Sequence, residues 1–191
     1  MAMLSNQQIR EMGFKSVGKN VMLSDKASYY NCKNIHIGDN VRIDDFCVLS
    51  AGVGGIHIGN YIHISVAATL IGAGKITLSD FSAVSLHVSI FSSNDDYSGK
   101  YLTNPTVPSE FTGVSHADVF VGRHAIIGAG SVILPGAVLE DGVAIGALSL
   151  VSKRCTEFGV YVGSPVKKIS ERKRDLLELE KRFLSTLELK I

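Results

Sequence analysis

A chain of 191 residues with a formal net charge of +1 is long enough to bury a core, and its charge favours neither a nucleic-acid nor a membrane-surface partner. Hydrophobic residues make up 46% and charged residues 19%, which excludes a disordered chain. The 3 scattered cysteines predict neither a metal site nor a disulfide framework, so we expect a cytoplasmic protein, and no apolar run is long enough to span a membrane.

The N-terminal segment, residues 1–34, is predicted to be a cap. Its first part, from Gln7 to Met12, has modest helix propensity, and Gly13 and Gly18 end the helix. Repeats with a period of six begin at about Ile35. Their aliphatic positions are Ile37, Ile43, Leu49, Ile58, Ile64, Leu70, Leu78, Val84 and Ile90. Two phase slips, after Leu49 and after Leu70, separate these blocks.

A polar stretch rich in proline and glycine, residues 92–117, interrupts the repeats. It includes the run Asn94-Asp95-Asp96-Tyr97-Ser98-Gly99. We predict a long loop that leaves the repeat structure. A structureless insertion of this length in a compact domain is usually functional.

The second series of repeats is the most regular part of the sequence. Its aliphatic positions are Val121, Ile127, Ile133, Leu139, Ile145 and Val151. A period of six fits neither a helix nor an alternating strand, but it fits a short strand followed by a tight turn. Three such units close a triangular coil, and stacked coils bury the aliphatic column. A β-sandwich, the alternative, has irregular turns spaced by about 8–12 residues.

The last segment, residues 169–191, is predicted to be an α-helix. Leu176, Leu177, Phe183, Leu184 and Leu187 fall on one face of it, with charged residues opposite. We expect the apolar face to pack on this subunit or its neighbour, and the charged face to be solvated. The predicted architecture is therefore an all-β solenoid over residues 35–168, with the loop 92–117 and a C-terminal helix.

The C-terminal third resembles the hexapeptide-repeat acetyltransferases in the run at positions 119–169, VFVGRHAIIGAGSVILPGAVLEDGVAIGALSLVSKRCTEFGVYVGSPVKKI. The shared features include a leucine-proline-glycine turn and the exit Gly163-Ser164-Pro165. The resemblance implies a left-handed parallel β-helix. It also implies a homotrimer in which acetyl-CoA lies between neighbouring subunits.

In the sugar and xenobiotic O-acetyltransferases of this family, a catalytic histidine stands where the chain leaves the helix into the long loop. Alignment of the preceding strand puts Asp95 at that position. An unperturbed aspartate, with a pKa of about 3.9, is a poor base for an alcohol. A neutral amine, in contrast, attacks through its own lone pair and needs only placement and a proton acceptor.

The segment from Asn94 to Gly99 also resembles the branch that N-acetylates nucleotide-linked 4-amino-4,6-dideoxy sugars. In that branch an aspartate and a serine take the place of the histidine, which implies catalytic roles for Asp95 and Ser85. His87, in the coil that leads to the site, is a further candidate base, and His116 is another. The residues expected to contact the substrate are Asn94, Asp96, Tyr97 and His116.

Acetyl-CoA needs small residues along which the pantetheine arm can lie, and donors and cations for its phosphates. Gly128, Ala129, Gly146 and Ala147 permit close backbone approach. The predicted phosphate contacts are Lys153, Arg154, Lys167 and Lys168, at the positions where the family has its basic residues.

Together these features predict an acetyl-CoA-dependent N-acetyltransferase that acts on a nucleotide-linked amino-deoxy sugar of the dTDP-4-amino-4,6-dideoxyglucose type. The transfer is direct, within a ternary complex, and the product serves surface-glycan or O-antigen assembly. One alternative is an O-acetyltransferase of a sugar or antibiotic that uses a histidine base. A carbonic-anhydrase-like enzyme needs three histidine ligands on neighbouring coils, and that pattern is not evident, so we predict no metal. A non-catalytic module is the remaining alternative.

Overall fold

The structure, a computed structural model, describes residues 2–188. Within them the chain winds as a triangular solenoid whose three faces are parallel β-sheets of seven, eight and six strands. The last strand of the eight-stranded sheet is antiparallel to its neighbour. The prediction of a left-handed parallel β-helix of hexapeptide repeats is confirmed.

Each of the first six coils contributes one short strand to each face, and the seventh contributes one to the first face and one to the second. The first face consists of Ser16–Val17, Ile35–Ile37, Ile56–Ile58, Ile76–Leu78, Val119–Val121, Val138–Leu139 and Arg154–Cys155. The second face consists of Met22–Leu23, Arg42–Ile43, His63–Ile64, Ala83–Val84, Ile126–Ile127, Ala144–Ile145, Gly159–Val162 and Lys167–Glu171. The third face consists of Ser28–Tyr30, Val48–Ala51, Thr69–Gly72, Ser89–Phe91, Val132–Ile133 and Leu150–Val151.

The aliphatic residue of each repeat points into the prism and stacks on its equivalent in the next coil. On the first face Ile58, Leu78 and Val121 are in register and almost completely buried. Burial of one such side chain is worth about 1.5–3 kcal/mol. A column of these residues on every face therefore explains why a sequence period of six specifies this fold.

The first coil starts earlier than the predicted boundary at residue 35. Ser16–Val17 already pairs with the strand that begins at Ile35, and Met22–Leu23 pairs with Arg42–Ile43. A short helix, Asn6–Glu11, closes this end of the prism, and its Ile9 is buried. The cap is therefore confined to the residues before Ser16.

The edge between the first and second faces is called here the helix edge. Its non-glycine residues with positive φ are Asn20, Asn40, Tyr61, Phe81, His124 and Phe158. The rings of Tyr61, Phe81 and His124 stack along it, with centroids 4.8 Å and 5.1 Å apart. Phe183 of the C-terminal helix packs edge-on against this stack.

The C-terminal helix spans Asp175–Glu188 and begins six residues after the predicted start at Ile169. The residues before it form the strand Lys167–Glu171, which pairs antiparallel with Gly159–Val162. Arg172 then anchors the chain, because its guanidinium donates to the carbonyl oxygens of His124 and Gly142. The predicted helical residues 189–191 lie outside the described residues.

The edge between the second and third faces is called here the open edge. Its non-glycine residues with positive φ are Phe46, Ala67, His87 and Leu148. Phe46 and Leu148 are exposed, and no helix of residues 2–188 covers them. The helix edge is therefore covered by the C-terminal helix, whereas no helix of the described residues covers the open edge.

The loop leaves from the third edge, between the third and first faces. Ser93–Asn94 pairs antiparallel with Ser115–His116, so the chain departs and returns at one point. A short 3₁₀ turn, Ser109–Phe111, lies within the loop. Both predicted phase slips fall at this edge too, because the strands Val48–Ala51 and Thr69–Gly72 precede them.

Candidate active site

Asp95 is the first residue beyond the two-stranded pair at the base of the loop. Its side chain is exposed, and no group of residues 2–188 donates a hydrogen bond to it. A carboxylate in this setting is available to a ligand, because its lone pairs are not already engaged by the protein.

A cleft of about 800 Å³ separates the loop from the edge of the third face. Asp95 and His116 line it together with Ser93, Asn31, Pro108 and Val114. The cleft thus combines a carboxylate, an imidazole and a hydroxyl with apolar walls, which is the usual composition of a site for an organic ligand.

His116 has a fixed orientation at the base of this cleft. Its Nδ1 lies 2.8 Å from the hydroxyl oxygen of Ser93, and that oxygen also accepts a hydrogen bond from the amide of Ala73 at 2.7 Å. The structure therefore places two of the predicted site residues, Asp95 and His116, at one cleft.

Asp96 faces its own loop rather than the cleft. Its carboxylate accepts hydrogen bonds from the hydroxyl of Ser98 at 2.7 Å and from the amides of Ser98, Gly99, Lys100 and Tyr101. The Ser98 hydroxyl, together with these amides, holds the pKa of Asp96 below its ordinary range. Neighbouring Tyr97 is 86% exposed, and Asn94 belongs to the strand pair at the loop base.

Ser85 and His87 lie on the open edge, not in the cleft. Ser85 follows the strand Ala83–Val84, and its amide donates to the carbonyl of Ile127 on the next coil. His87 is exposed, with a φ of 55°. Because the strand Ser89–Phe91 runs between them, Ser85 and Asp95 of one chain stand at opposite margins of the third face.

Gly128 and Gly146 continue the column of Ser85 along the open edge toward the C-terminus. A Cβ on Gly128 would lie 2.5 Å from the amide nitrogen of Ala147, and one on Gly146 would lie 2.7 Å from a methyl group of Val162. Gly128 is therefore required for the coils to stack, because its close neighbours are backbone atoms, whereas at Gly146 only a side-chain methyl would have to move. Ala147 is exposed and Ala129 is half-buried, so this part of the edge presents small side chains at the surface.

The four predicted phosphate-binding residues differ in their partners. Arg154 donates from Nε to Glu140 at 2.5 Å, and Lys168 pairs with Glu171 at 2.6 Å. Lys153 and Lys167 are exposed and form no ion pair with a carboxylate of the described residues. Of these four residues, Lys153 and Lys167 are thus the two that no carboxylate of the described residues pairs with.

The cysteines are in settings that disfavour a covalent acyl intermediate. Burial raises the pKa of the Cys47 and Cys155 thiols to about 11, and it also raises the pKa of Cys32. A thiol with such a pKa is almost entirely protonated near pH 7 and is a poor nucleophile.

Residues 2–188 contain no group of three or more His, Cys, Asp or Glu side chains arranged to hold a metal ion. No helix in the described part of the chain is long and apolar enough to cross a membrane.

Comparison with known proteins gives close relatives, although no protein-family model matches the chain. The chain is 59% identical over 183 residues to the dTDP-4-amino-4,6-dideoxy-D-glucose acyltransferase of Escherichia coli, which covers 96% of this chain and 95% of the relative. It superimposes with a TM-score of 0.93, at 42% identity, on AntD, an N-acyltransferase from Bacillus cereus in complex with dTDP and 3-hydroxybutyryl-CoA. That match covers 97% of this chain and 98% of the AntD chain.

Other AntD structures are of variants at one serine or one aspartate, which stand 10 positions apart in the AntD chain. Two of them, both variants at the serine, hold dTDP-4-amino-4,6-dideoxyglucose and coenzyme A. Ser85 and Asp95 are also 10 positions apart. A maltose O-acetyltransferase from Clostridium difficile, 22% identical with a TM-score of 0.60 over 88% of this chain and 75% of its own, shares the fold.

Proposed function

Since this chain belongs to the family of the dTDP-4-amino-4,6-dideoxyglucose acyltransferases, we propose that it transfers the acetyl group of acetyl-CoA to the amine of that nucleotide-linked sugar. The chain is an acyltransferase. The proposal concerns the acceptor, the acyl group and the residues that act on them.

One observation carries the assignment of residues. Ser85 and Asp95 have the residue types and the spacing of the two positions that were changed in AntD. Asp95 also lies at the mouth of the cleft, with no hydrogen bond from the described residues to occupy its carboxylate. Residue type, spacing and position thus agree for the proposed base.

The chemistry requires little of the protein beyond placement. The lone pair of the neutral amine attacks the thioester carbonyl carbon and forms the new C–N bond. The C–S bond then breaks, coenzyme A leaves as a thiolate, and Asp95 accepts the proton that the amine loses. Ser85 assists by orienting the amine, and both substrates are bound at once because the thiols of this chain are poor nucleophiles.

The positions of Ser85 and Asp95 support a homotrimer. A single sugar amine does not reach both margins of the third face, since at least the strand Ser89–Phe91 separates them and each strand residue spans about 3.3 Å. We propose that Ser85 of one subunit meets Asp95 of the next, with acetyl-CoA in the groove between them. Its phosphates then lie near Lys153 and Lys167, which form no ion pairs within the described chain.

A cytoplasmic enzyme of surface-glycan biosynthesis follows from this substrate, since acetyl-CoA and nucleotide sugars are cytoplasmic metabolites. The free thiols of Cys32, Cys47 and Cys155 are compatible with a reducing compartment.

The test is a thiol assay of CoA release with dTDP-4-amino-4,6-dideoxyglucose and with simple sugar alcohols as acceptors, for wild type and Asp95→Asn. We expect turnover of the amino sugar alone, and a fall in kcat of about 100-fold or more in the variant, because loss of a general base costs about that much. Asp175→Asn, at the exposed start of the C-terminal helix, is the matched control and should keep wild-type kcat.

Two results would redirect the assignment. Turnover of hydroxyl acceptors with Asp95 dispensable would point to O-acetylation by a histidine base, either His116 in the cleft or His87 on the open edge. Faster transfer from 3-hydroxybutyryl-CoA than from acetyl-CoA would keep the acceptor and change the acyl group.

A further inference from the structure

A cluster of three ionisable side chains lies on the open edge, away from the cleft. The carboxylate of Asp44, whose side chain is only 5% exposed, accepts a hydrogen bond from Nε of Arg42 at 2.7 Å and contacts Nε2 of His63 at 2.7 Å. Arg42 and His63 are register partners on neighbouring strands of the second face. Asp44 therefore holds two basic side chains next to each other at the surface, where they are 44% and 50% exposed.

Packing does not explain this arrangement. The corner position that Asp44 occupies is filled on the neighbouring coils by Ser24 and Ser65, which join the same ladder of backbone hydrogen bonds. A small neutral residue is therefore sufficient for the fold. A buried carboxylate is costly to desolvate, and its pairing with cations is weak evidence of a role in stability.

The cluster lies in line with Ser85 along the open edge. The column runs from Asp44 through Ser65 to Ser85, because the amide of Asp44 donates to Ile64 and that of Ser65 donates to Val84. Stacked strands are about 4.8 Å apart, so His63 is about 5 Å and Arg42 about 10 Å from Ser85 along the prism axis.

These separations match the dimensions of a sugar diphosphate. In a 4-amino-4,6-dideoxyhexosyl diphosphate, about six covalent bonds, or about 7 Å, separate the amine nitrogen from the nearer phosphorus. An amine at Ser85 therefore brings the two phosphates to the level of His63 and Arg42. The predicted CoA positions, Gly128 and Gly146, lie on the other side of Ser85, so the two substrates do not compete for space.

We propose that Arg42 and His63, positioned by Asp44, form the diphosphate subsite for the nucleotide sugar. The proposal rests on the proposed function for the identity of that sugar. A guanidinium presents a planar set of donors that suits phosphate oxygens. The imidazole of His63, whose Nε2–H donates to Asp44, adds a further donor at Nδ1 in its imidazolium form, which a bound phosphate favours. The nearby acid Asp45 does not oppose an anion at this point, because it accepts from the hydroxyl of Ser24 at 2.5 Å and faces Lys26 at 3.7 Å.

The experiment measures binding of dTDP and of thymidine by calorimetry to wild type, Arg42→Gln and His63→Gln, with sugar turnover measured in parallel. We expect the Kd for dTDP to rise at least tenfold in each variant, since a hydrogen bond to a charged group is worth about 1.5–3 kcal/mol. Affinity for thymidine and for coenzyme A should stay unchanged. Lys26→Gln, a basic residue of the same edge that pairs with Asp45, is the control and should bind dTDP as wild type does.

The outcomes separate the two proposals. If wild type fails to acetylate the amino sugar, the proposed function is wrong, whatever the dTDP affinities are. If wild type acetylates it and both variants still bind dTDP with the wild-type Kd, the diphosphate subsite is wrong. The half-exposed His63 keeps the test valid if Arg42→Gln does not fold, because its replacement removes no buried group.

Discussion

The helix edge and the open edge come from the same repeat, and both use left-handed residues to turn the chain. Along the helix edge three successive turn residues, Tyr61, Phe81 and His124, have rings that stack beneath the C-terminal helix. Along the open edge the position before the turn is a serine, a glycine or the single aspartate, and no helix of residues 2–188 covers it. The difference agrees with the proposed function, in which one edge stabilises the prism while the other presents its backbone and small side chains to the substrates.

The largest effect on stability is expected for Phe81→Ala on the helix edge. This ring lies between Tyr61 and His124 and contacts Phe183, so its removal leaves a gap in the stack. We expect the free energy of unfolding to fall by about 2–3 kcal/mol, with kcat unchanged in the folded fraction. Urea denaturation measures the first quantity and the thiol assay the second.

The matched variant on the open edge is Phe46→Ala. Phe46 is 61% exposed, and we expect its loss to change stability by less than about 0.5 kcal/mol. Equal losses for Phe81→Ala and Phe46→Ala would show that the two edges do not differ in the way described.

A smaller effect is expected for Gly128→Ala on the open edge. The added Cβ would lie 2.5 Å from the Ala147 amide nitrogen, so the coil must shift, at a cost of about 2 kcal/mol. Ser65→Ala, at the same repeat position, should be nearly neutral. Thermal unfolding of both variants shows whether the loss of stability comes from the close packing at Gly128 or from any substitution at this repeat position.

The only effect on stability that depends on pH is expected for Asp44→Asn. Burial acts to raise the pKa of Asp44, but hydrogen bonds from Arg42 and His63 outweigh it, so this pKa lies below its ordinary value of 3.8. Folding therefore gains stability from the ionised carboxylate above that value and loses it as the pH falls through the lower, folded-state pKa.

We expect the free energy of unfolding of wild type to exceed that of Asp44→Asn by about 1 kcal/mol at pH 7. This difference should shrink below about pH 4. Urea denaturation at a series of pH values measures it. A difference that stays constant down to pH 3 would mean that the Asp44 carboxylate contributes nothing through its charge.

The repeats made most of the fold predictable, because one aliphatic residue in six is a local signal that each coil repeats. The first coil, from Ser16, was missed although Val17, Leu23 and Tyr29 continue the same period. Its signal is weak because a tyrosine replaces the aliphatic residue and Val17 is exposed, as expected at the end of a stack. The second part of the strand Lys167–Glu171, from Ile169 on, falls in the segment predicted to be helix, because charged residues give no clue to an antiparallel return.

The candidate site residues Asp95 and Ser85 are predicted from a family resemblance, Asp95 because it stands at the family's histidine position where the repeats stop, and their roles stay predictions. No such marker exists in the sequence for the cluster around Asp44. Arg42 and His63 are 21 residues apart and meet only because one coil separates them in the stack. The phase slips decide which residues of two successive coils become neighbours. The period of six alone does not predict how each slip shifts the register between the coils.

The two-stranded base of the loop has a consequence for how this fold changes. The strands Ser93–Asn94 and Ser115–His116 pair with each other at the base of the loop, and the amide of Ala117 donates to the carbonyl of Ser92 at 3.1 Å. The next coil therefore begins in the same register regardless of the length and sequence of the loop. We therefore expect that the loop residues between these two strands can be replaced without disturbing the solenoid. A loop transplanted from a relative should alter which acceptor is accepted while the solenoid melts at the same temperature.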